Sequence, residues 1–129
     1  MTGATILVVE DNDRNLKLVR DVLEHAGFRV VAASSGETGV DLAVEQPPDL
    51  VLLDLGLPGI DGHEALRRLR ASPRTRALPV VAVTAYAMAA DRARALEAGF
   101  DGYLEKPLDV RSLPLDVRRF LHREEAPRD

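Results

Sequence analysis

A chain of 129 residues, 46% hydrophobic and 29% charged, has the size and composition of one globular domain. It contains no cysteine, which excludes disulfides, thiolate metal sites and a cysteine nucleophile. A formal net charge of −4 argues against a general binder of nucleic-acid phosphates. No apolar run approaches the ~20 residues needed to span a bilayer, and Met1-Thr2-Gly3-Ala4 lacks the basic flank of a signal peptide. A cytoplasmic protein is therefore expected, with neither nucleic acid nor membrane as a partner.

In chain order, the first element is the apolar run Ile6 to Val9, read as a strand. Leu16, Val19 and Leu23 follow at helical spacing, and Gly27-Phe28 ends that helix with a glycine and an aromatic that folds back. Val30 to Ala33 is the second strand. Ser34-Ser35-Gly36-Glu37 has the S-x-x-E form of a capping box before a second helix marked by Val40, Ala43 and Val44. Pro47-Pro48 precedes the third strand, Leu50 to Leu53, and Leu66 and Leu69 mark the third helix. Pro79 precedes the fourth strand, Val80 to Val83; Ala89, Ala93 and Leu96 mark the fourth helix, closed by Gly99-Phe100. Tyr103-Leu104 is a weaker fifth strand, and Leu113, Val117, Phe120 and Leu121 a fifth helix. Pro114 either falls in the first turn of a late-starting helix capped by Ser112 or kinks it. Residues 124–129 are expected to fray, leaving one domain over 1–123 with no room for a DNA-binding output domain.

Several strand runs are continuous Val, Ile and Leu rather than alternating, as in strands covered on both faces. Strict alternation of five strands and five helices predicts an α/β three-layer sandwich on a five-stranded parallel sheet with right-handed crossovers. Ligands of such sheets bind beyond the carboxyl ends of the strands. Glu10-Asp11, Asp54, Thr84 and Lys106-Pro107 follow or end strands one, three, four and five. Lysine occurs only at Lys17 and Lys106.

Clustered carboxylates repel unless a cation joins them, and an oxygen-only donor set suits a hard ion such as Mg²⁺. A carboxylate beside that ion can attack phosphorus to give an aspartyl phosphate. Lys106 can then pair with one phosphoryl oxygen and Thr84 donate to another. Singly, each residue has a plainer reading. Glu10, Asp11 and Asp13 suit a loop and a helix cap, Asp54 a turn, Thr84 a strand end and Lys106 the surface. The joint arrangement carries the argument.

These residues sit in four motifs: Val8-Val9-Glu10-Asp11-Asn12, Asp49 to Gly62 around Leu53-Asp54-Leu55-Gly56-Leu57-Pro58, Pro79 to Ala85, and Gly102-Tyr103-Leu104-Glu105-Lys106-Pro107. Together they resemble the response-regulator receiver family, in the style of single-domain chemotaxis and cell-cycle regulators. The resemblance implies a flavodoxin-like sheet of strand order 2-1-3-4-5 and a phosphorelay signalling protein rather than an enzyme. It implies Asp54 as phospho-acceptor. Asp11, Asp54 and the Gly56 carbonyl would hold Mg²⁺, or Mn²⁺ in its place, with Glu10 acting through water. Thr84 and Lys106 would contact the phosphoryl group, and Tyr103 would be the switch aromatic. Pro58, Gly62 and Ala85 would be structural positions, Ala85 being small enough to admit the phosphoryl group, and a cis Lys106-Pro107 bond would orient the lysine. The implied partners are a histidine kinase or a histidine phosphotransfer protein, and then a downstream protein or a second copy on the face of helix four, strand five and helix five. Gly56 and Tyr86 occupy positions where relatives vary.

Other readings stay open at this point. One is an adaptor of the same fold that works without phosphorylation. A phosphatase with an Asp nucleophile would need an acid two residues on, where this chain has Gly56. An FMN protein would need a Ser/Thr/Gly-rich loop after strand one, which is missing.

Overall fold

The computed structural model describes residues 3–85 and 89–122. Strands and helices alternate: β1 (Thr5–Val9), α1 (Asp13–His25), β2 (Arg29–Ala33), α2 (Gly36–Glu45), β3 (Leu50–Asp54), α3 (Gly62–Ala71), β4 (Val80–Thr84), α4 (Ala89–Ala98), β5 (Gly102–Glu105) and α5 (Leu113–Leu121). All strand pairs are parallel, in the order β2-β1-β3-β4-β5, which is the flavodoxin-like arrangement. No helix among the described residues is long and apolar enough to cross a membrane.

The strand runs are apolar throughout because both faces of the sheet are covered. Ile6, Val8, Leu50, Leu52, Val81 and Val83 face α1 and α5, packing on Val19, Leu23, Leu113 and Val117. Leu7, Val9, Val51, Leu53, Val80 and Ala82 face the other way, onto Ala43 of α2, Leu66 and Leu69 of α3, and Ala95 of α4. Full burial of each Leu or Val stabilises by roughly 1.5–3 kcal/mol, so this two-sided core drives the fold.

Helix ends follow local chemistry. Gly27 and Gly99 take φ of 100° and 112°, conformations that favour glycine. The amides of Phe28 and Phe100 then donate back to the carbonyls of Leu23 (3.0 Å) and Ala95 (3.1 Å), closing each helix. The cap of α2 differs from expectation. Ser35, not Ser34, is the cap, and its hydroxyl accepts from the amide of Thr38 at 3.1 Å, with no part for Glu37. For α5 the late start holds. The helix begins at Leu113 with Pro114 in its first turn, though the Ser112 side chain makes no cap bond. In α4, Ala95 is the buried residue, whereas Ala93 is exposed and Leu96 is 53% exposed, so the inward face is not the one read from Ala93 and Leu96. The tail from 123, and Tyr86, Ala87 and Met88, lie outside the described residues.

Arg70 ties the bottom of the sheet together. Its guanidinium donates to the carbonyls of Arg76, Leu78 and Gly99 and to the Asp101 carboxylate, which also accepts from the Val80 amide at 2.8 Å. One side chain thus joins the end of α3 to the entries of β4 and β5. Arg70→Ala is expected to cost about 2–3 kcal/mol, read as a lower urea midpoint with unchanged slope.

Candidate functional site

Strand register assembles the site. Val9 pairs with Leu53, so the next residues, Glu10 and Asp54, leave the sheet side by side. Thr84 pairs with Glu105, and the Lys106 amide donates to the Thr84 carbonyl at 2.8 Å, which puts Lys106 just past the end of β5. Glu10, Asp54 and Thr84 are nearly buried, at 6%, 4% and 4% exposure. Asp11 is exposed.

Glu10, Asp11 and Asp54 each present a carboxylate oxygen within 4.8 Å of the others. Lys106 Nζ lies 2.9 Å from Asp54 Oδ2 and 3.2 Å from Glu10 Oε1. The second oxygen of Asp54 accepts from the Gly56 amide at 2.9 Å, and Glu10 Oε2 accepts from the Asn12 amide at 3.0 Å. Two nearly buried carboxylates thus share one ammonium, and Asp11 adds a third acid at the lip. Oxygen donors alone, with net negative charge, fit a hard divalent ion that keeps part of its water.

The electrostatics carry the mark of this crowding. Burial pushes the Glu10 carboxyl above its ordinary value of 4.5, and Asp54 pushes it further; the Asn12 amide and Lys106 pull it back without cancelling the rise. Burial alone would lower the Lys106 ammonium, but its contacts with Asp54 and Glu10 outweigh this and raise it. For Glu10 the raised folded value means a stabilising contribution that is complete below pH 4.5 and lost as pH rises through the folded value. Glu10→Gln, which cannot ionise, should flatten that slope. Urea midpoints in EDTA between about pH 4 and pH 7 would show it as a smaller loss for the variant.

An open cleft of about 540 Å³ gathers the predicted residues: Glu10, Asp11, Asp54, Gly56, Thr84, Ala85, Tyr103 and Lys106 all line it. The Lys106–Pro107 peptide is cis. Tyr103 is half-buried on the α4 side, with the Arg92 guanidinium 5.7 Å from its ring centre, and burial raises its phenol. Gly62 is buried where α3 meets the end of β3. A Cβ there would come within 2.9 Å of Leu55 Cα and 3.1 Å of the Asp54 carbonyl, so only glycine fits against that backbone. Pro58 is exposed on the connecting loop and does not line the cleft. The cleft also draws in His63 from α3, and Asp91 and Arg94 from α4, which sequence reasoning did not place there.

Residues 6–118 match the sequence pattern of the response regulator receiver domain. The chain belongs to the response-regulator receiver family. Receiver domains are signalling phosphoproteins rather than classical enzymes, and they pair with histidine kinases and phosphotransfer proteins. The chain is 38% identical over 117 residues to the polar-differentiation response regulator DivK of Brucella ovis, covering 91% of this chain and 95% of that protein. The crystal structure of a response regulator from Chloroflexus aurantiacus is similar at TM-score 0.86 and 34% identity, over 93% of this chain and 98% of that one. The receiver domain of sensor histidine kinase PA1611 from Pseudomonas aeruginosa, with a magnesium ion coordinated in its active-site cleft, is similar at TM-score 0.85 and 37% identity, over 93% and 98%. In this receiver domain the acidic cluster of Glu10, Asp11 and Asp54 fits a phospho-accepting site.

Proposed function

We propose that Asp54 is the phospho-acceptor, taking its phosphoryl group from a histidine kinase or a histidine phosphotransfer protein. The observation that carries this reading is the Asp54 carboxylate itself: nearly buried at the end of β3, open to the cleft, and fixed by the Gly56 amide and Lys106. One of its oxygens attacks phosphorus in line, forming an O–P bond as the N–P bond of the phosphohistidine breaks. The histidine leaves as neutral imidazole when its other ring nitrogen carries a proton. Asp11, Asp54 and the Gly56 carbonyl would hold Mg²⁺, or Mn²⁺ in its place, with Glu10 acting through water. When bound, the ion offsets the repulsion between the attacking carboxylate and the anionic phosphoryl group. The magnesium-loaded cleft of the PA1611 receiver domain supports the same ion class here.

Lys106, 2.9 Å from Asp54, is within reach of a phosphoryl oxygen bonded there, and the Thr84 hydroxyl donates to another. Movement of Thr84 toward the new group lets Tyr103 shift, and with it the surface of α4, β5 and α5. That surface exposes Leu96 (53%) and Leu115 (57%), apolar groups suited to cover by a downstream protein or a second copy.

The test is metal-dependent labelling. With acetyl phosphate and Mg²⁺, the intact protein should gain the mass of one phosphoryl group, and excess EDTA should abolish the gain. Equal labelling in both would remove the metal from the account, and no labelling in either would favour an adaptor that works unphosphorylated.

A further inference from the structure

The cleft has a charge problem at its mouth. Its floor carries Glu10 and Asp54, its lip Asp11, their carboxylate oxygens within 4.8 Å of one another, and Lys106 is already engaged by the two on the floor. An incoming phosphoryl donor is itself an anion. It needs a cation that it meets before it reaches the floor, one not committed to the carboxylates there.

Among the described residues, the cleft is lined by a single arginine, Arg94. It stands on the second turn of α4, and the cleft it lines also takes in Asp11 and Asn15 from the β1–α1 side. Its side chain is 73% exposed, and its ion pair with Asp91, which also lines the cleft, is long at 3.7 Å, so an incoming anion competes only with a loose, solvent-screened partner. A guanidinium presents several donors in a planar fork that matches two phosphoryl oxygens at once. It is always charged, and its long stem lets the head follow a ligand inward.

We infer that Arg94 is a donor-binding residue that captures the phosphoryl oxygens of an incoming small phosphodonor, such as an acyl phosphate or a phosphoramidate, at the mouth of the cleft. This rests on Asp54 as the acceptor, and it adds what Lys106 and the metal cannot supply: recognition of the donor before the bond to Asp54 begins to form. Arg94 takes no part in the bond changes, so its effect falls on capture and not on the rate of the bound complex.

The experiment measures the rate of acetyl phosphate labelling against donor concentration, by intact mass, in Mg²⁺. Arg94→Ala should lower the second-order rate constant about tenfold at low salt. The loss should appear as a higher half-saturating donor concentration with an unchanged limiting rate. Raising the salt should narrow the gap, because exposed charges are screened. Arg94→Lys should recover part of the rate. Arg67→Ala removes a guanidinium of similar exposure, 77%, on α3 outside the cleft lining, and should leave the rate unchanged. A rate for Arg94→Ala within twofold of wild type at low salt would overturn the inference, as would an equal loss in Arg67→Ala. Absence of labelling in the wild-type protein would instead bring down the acceptor reading, and this inference with it.

Discussion

Asp54→Asn should take no phosphoryl group from acetyl phosphate under conditions that label the wild-type protein to completion. A neutral amide has no oxygen nucleophilic enough to displace a phosphoryl leaving group, and it removes one carboxylate from the metal set. The fold should survive. Both Asp54 oxygens accept, one from Gly56 and one from Lys106, and an asparagine can match only one of these donors. Lys106 keeps Glu10 as a partner at 3.2 Å, so the ammonium is not stranded. The expected outcome is a complete loss of labelling with cooperative unfolding retained, checked by intact mass and by thermal melts. Residual labelling at the wild-type rate would move the acceptor elsewhere.

Lys106→Met should produce the next largest effect, and it should act in two directions. Without metal, the substitution leaves Glu10 and Asp54, with side chains 8% and 6% exposed, facing each other with no cation between them. Removing one partner of such a set costs several kcal/mol when fully buried; Lys106 itself is 24% exposed, so a loss of about 2 kcal/mol is expected. With Mg²⁺ the result should reverse in part. A divalent ion no longer competes with an ammonium for the same oxygens, so it should bind more tightly to the variant and recover much of its stability. Lys106 also has a folded value raised above the ordinary 10.5, so its stabilising contribution is fully present below pH 10.5 and lost as pH rises through the higher folded value. The variant should lack this alkaline loss. Melting temperatures with EDTA and with saturating Mg²⁺ would read both effects. A variant as stable as wild type in EDTA would mean that the shared ammonium contributes nothing.

Much of this was legible in the sequence because burial on two faces leaves a plain signature. The continuous runs at Ile6, Leu50 and Val80 located three strands to within one residue, and the end of such a run pointed to Asp54. Glycine followed by an aromatic marked two helix ends, because only a left-handed residue lets Phe28 and Phe100 fold back. Legibility failed where the signal was small. The helix α4 is rich in alanine, which fits a face or its opposite equally well, so its rotation is set by packing of Ala95 and Phe100 on the sheet and not by Leu96. That rotation also decides which α4 side chains reach the cleft, which is why Asp91 and Arg94 were not foreseen there. His63 was hidden for a similar reason. Its place depends on the close approach of Gly62 to the end of β3 and on an edge contact with Phe100, 5.6 Å between ring centres. The serine cap was misplaced by one residue because Ser34 and Ser35 offer the same hydroxyl, and only the course of the backbone selects between them.

An acyl phosphate on the Asp54 side chain is a bond that chemical trapping reads where it forms. Protein labelled with acetyl phosphate in Mg²⁺ is reduced with borohydride, which converts an aspartyl phosphate to homoserine, then digested and mapped by mass spectrometry. Homoserine is expected at position 54 and unmodified aspartate at position 11. Homoserine at position 11, or a labelled protein in which position 54 stays aspartate, would contradict this.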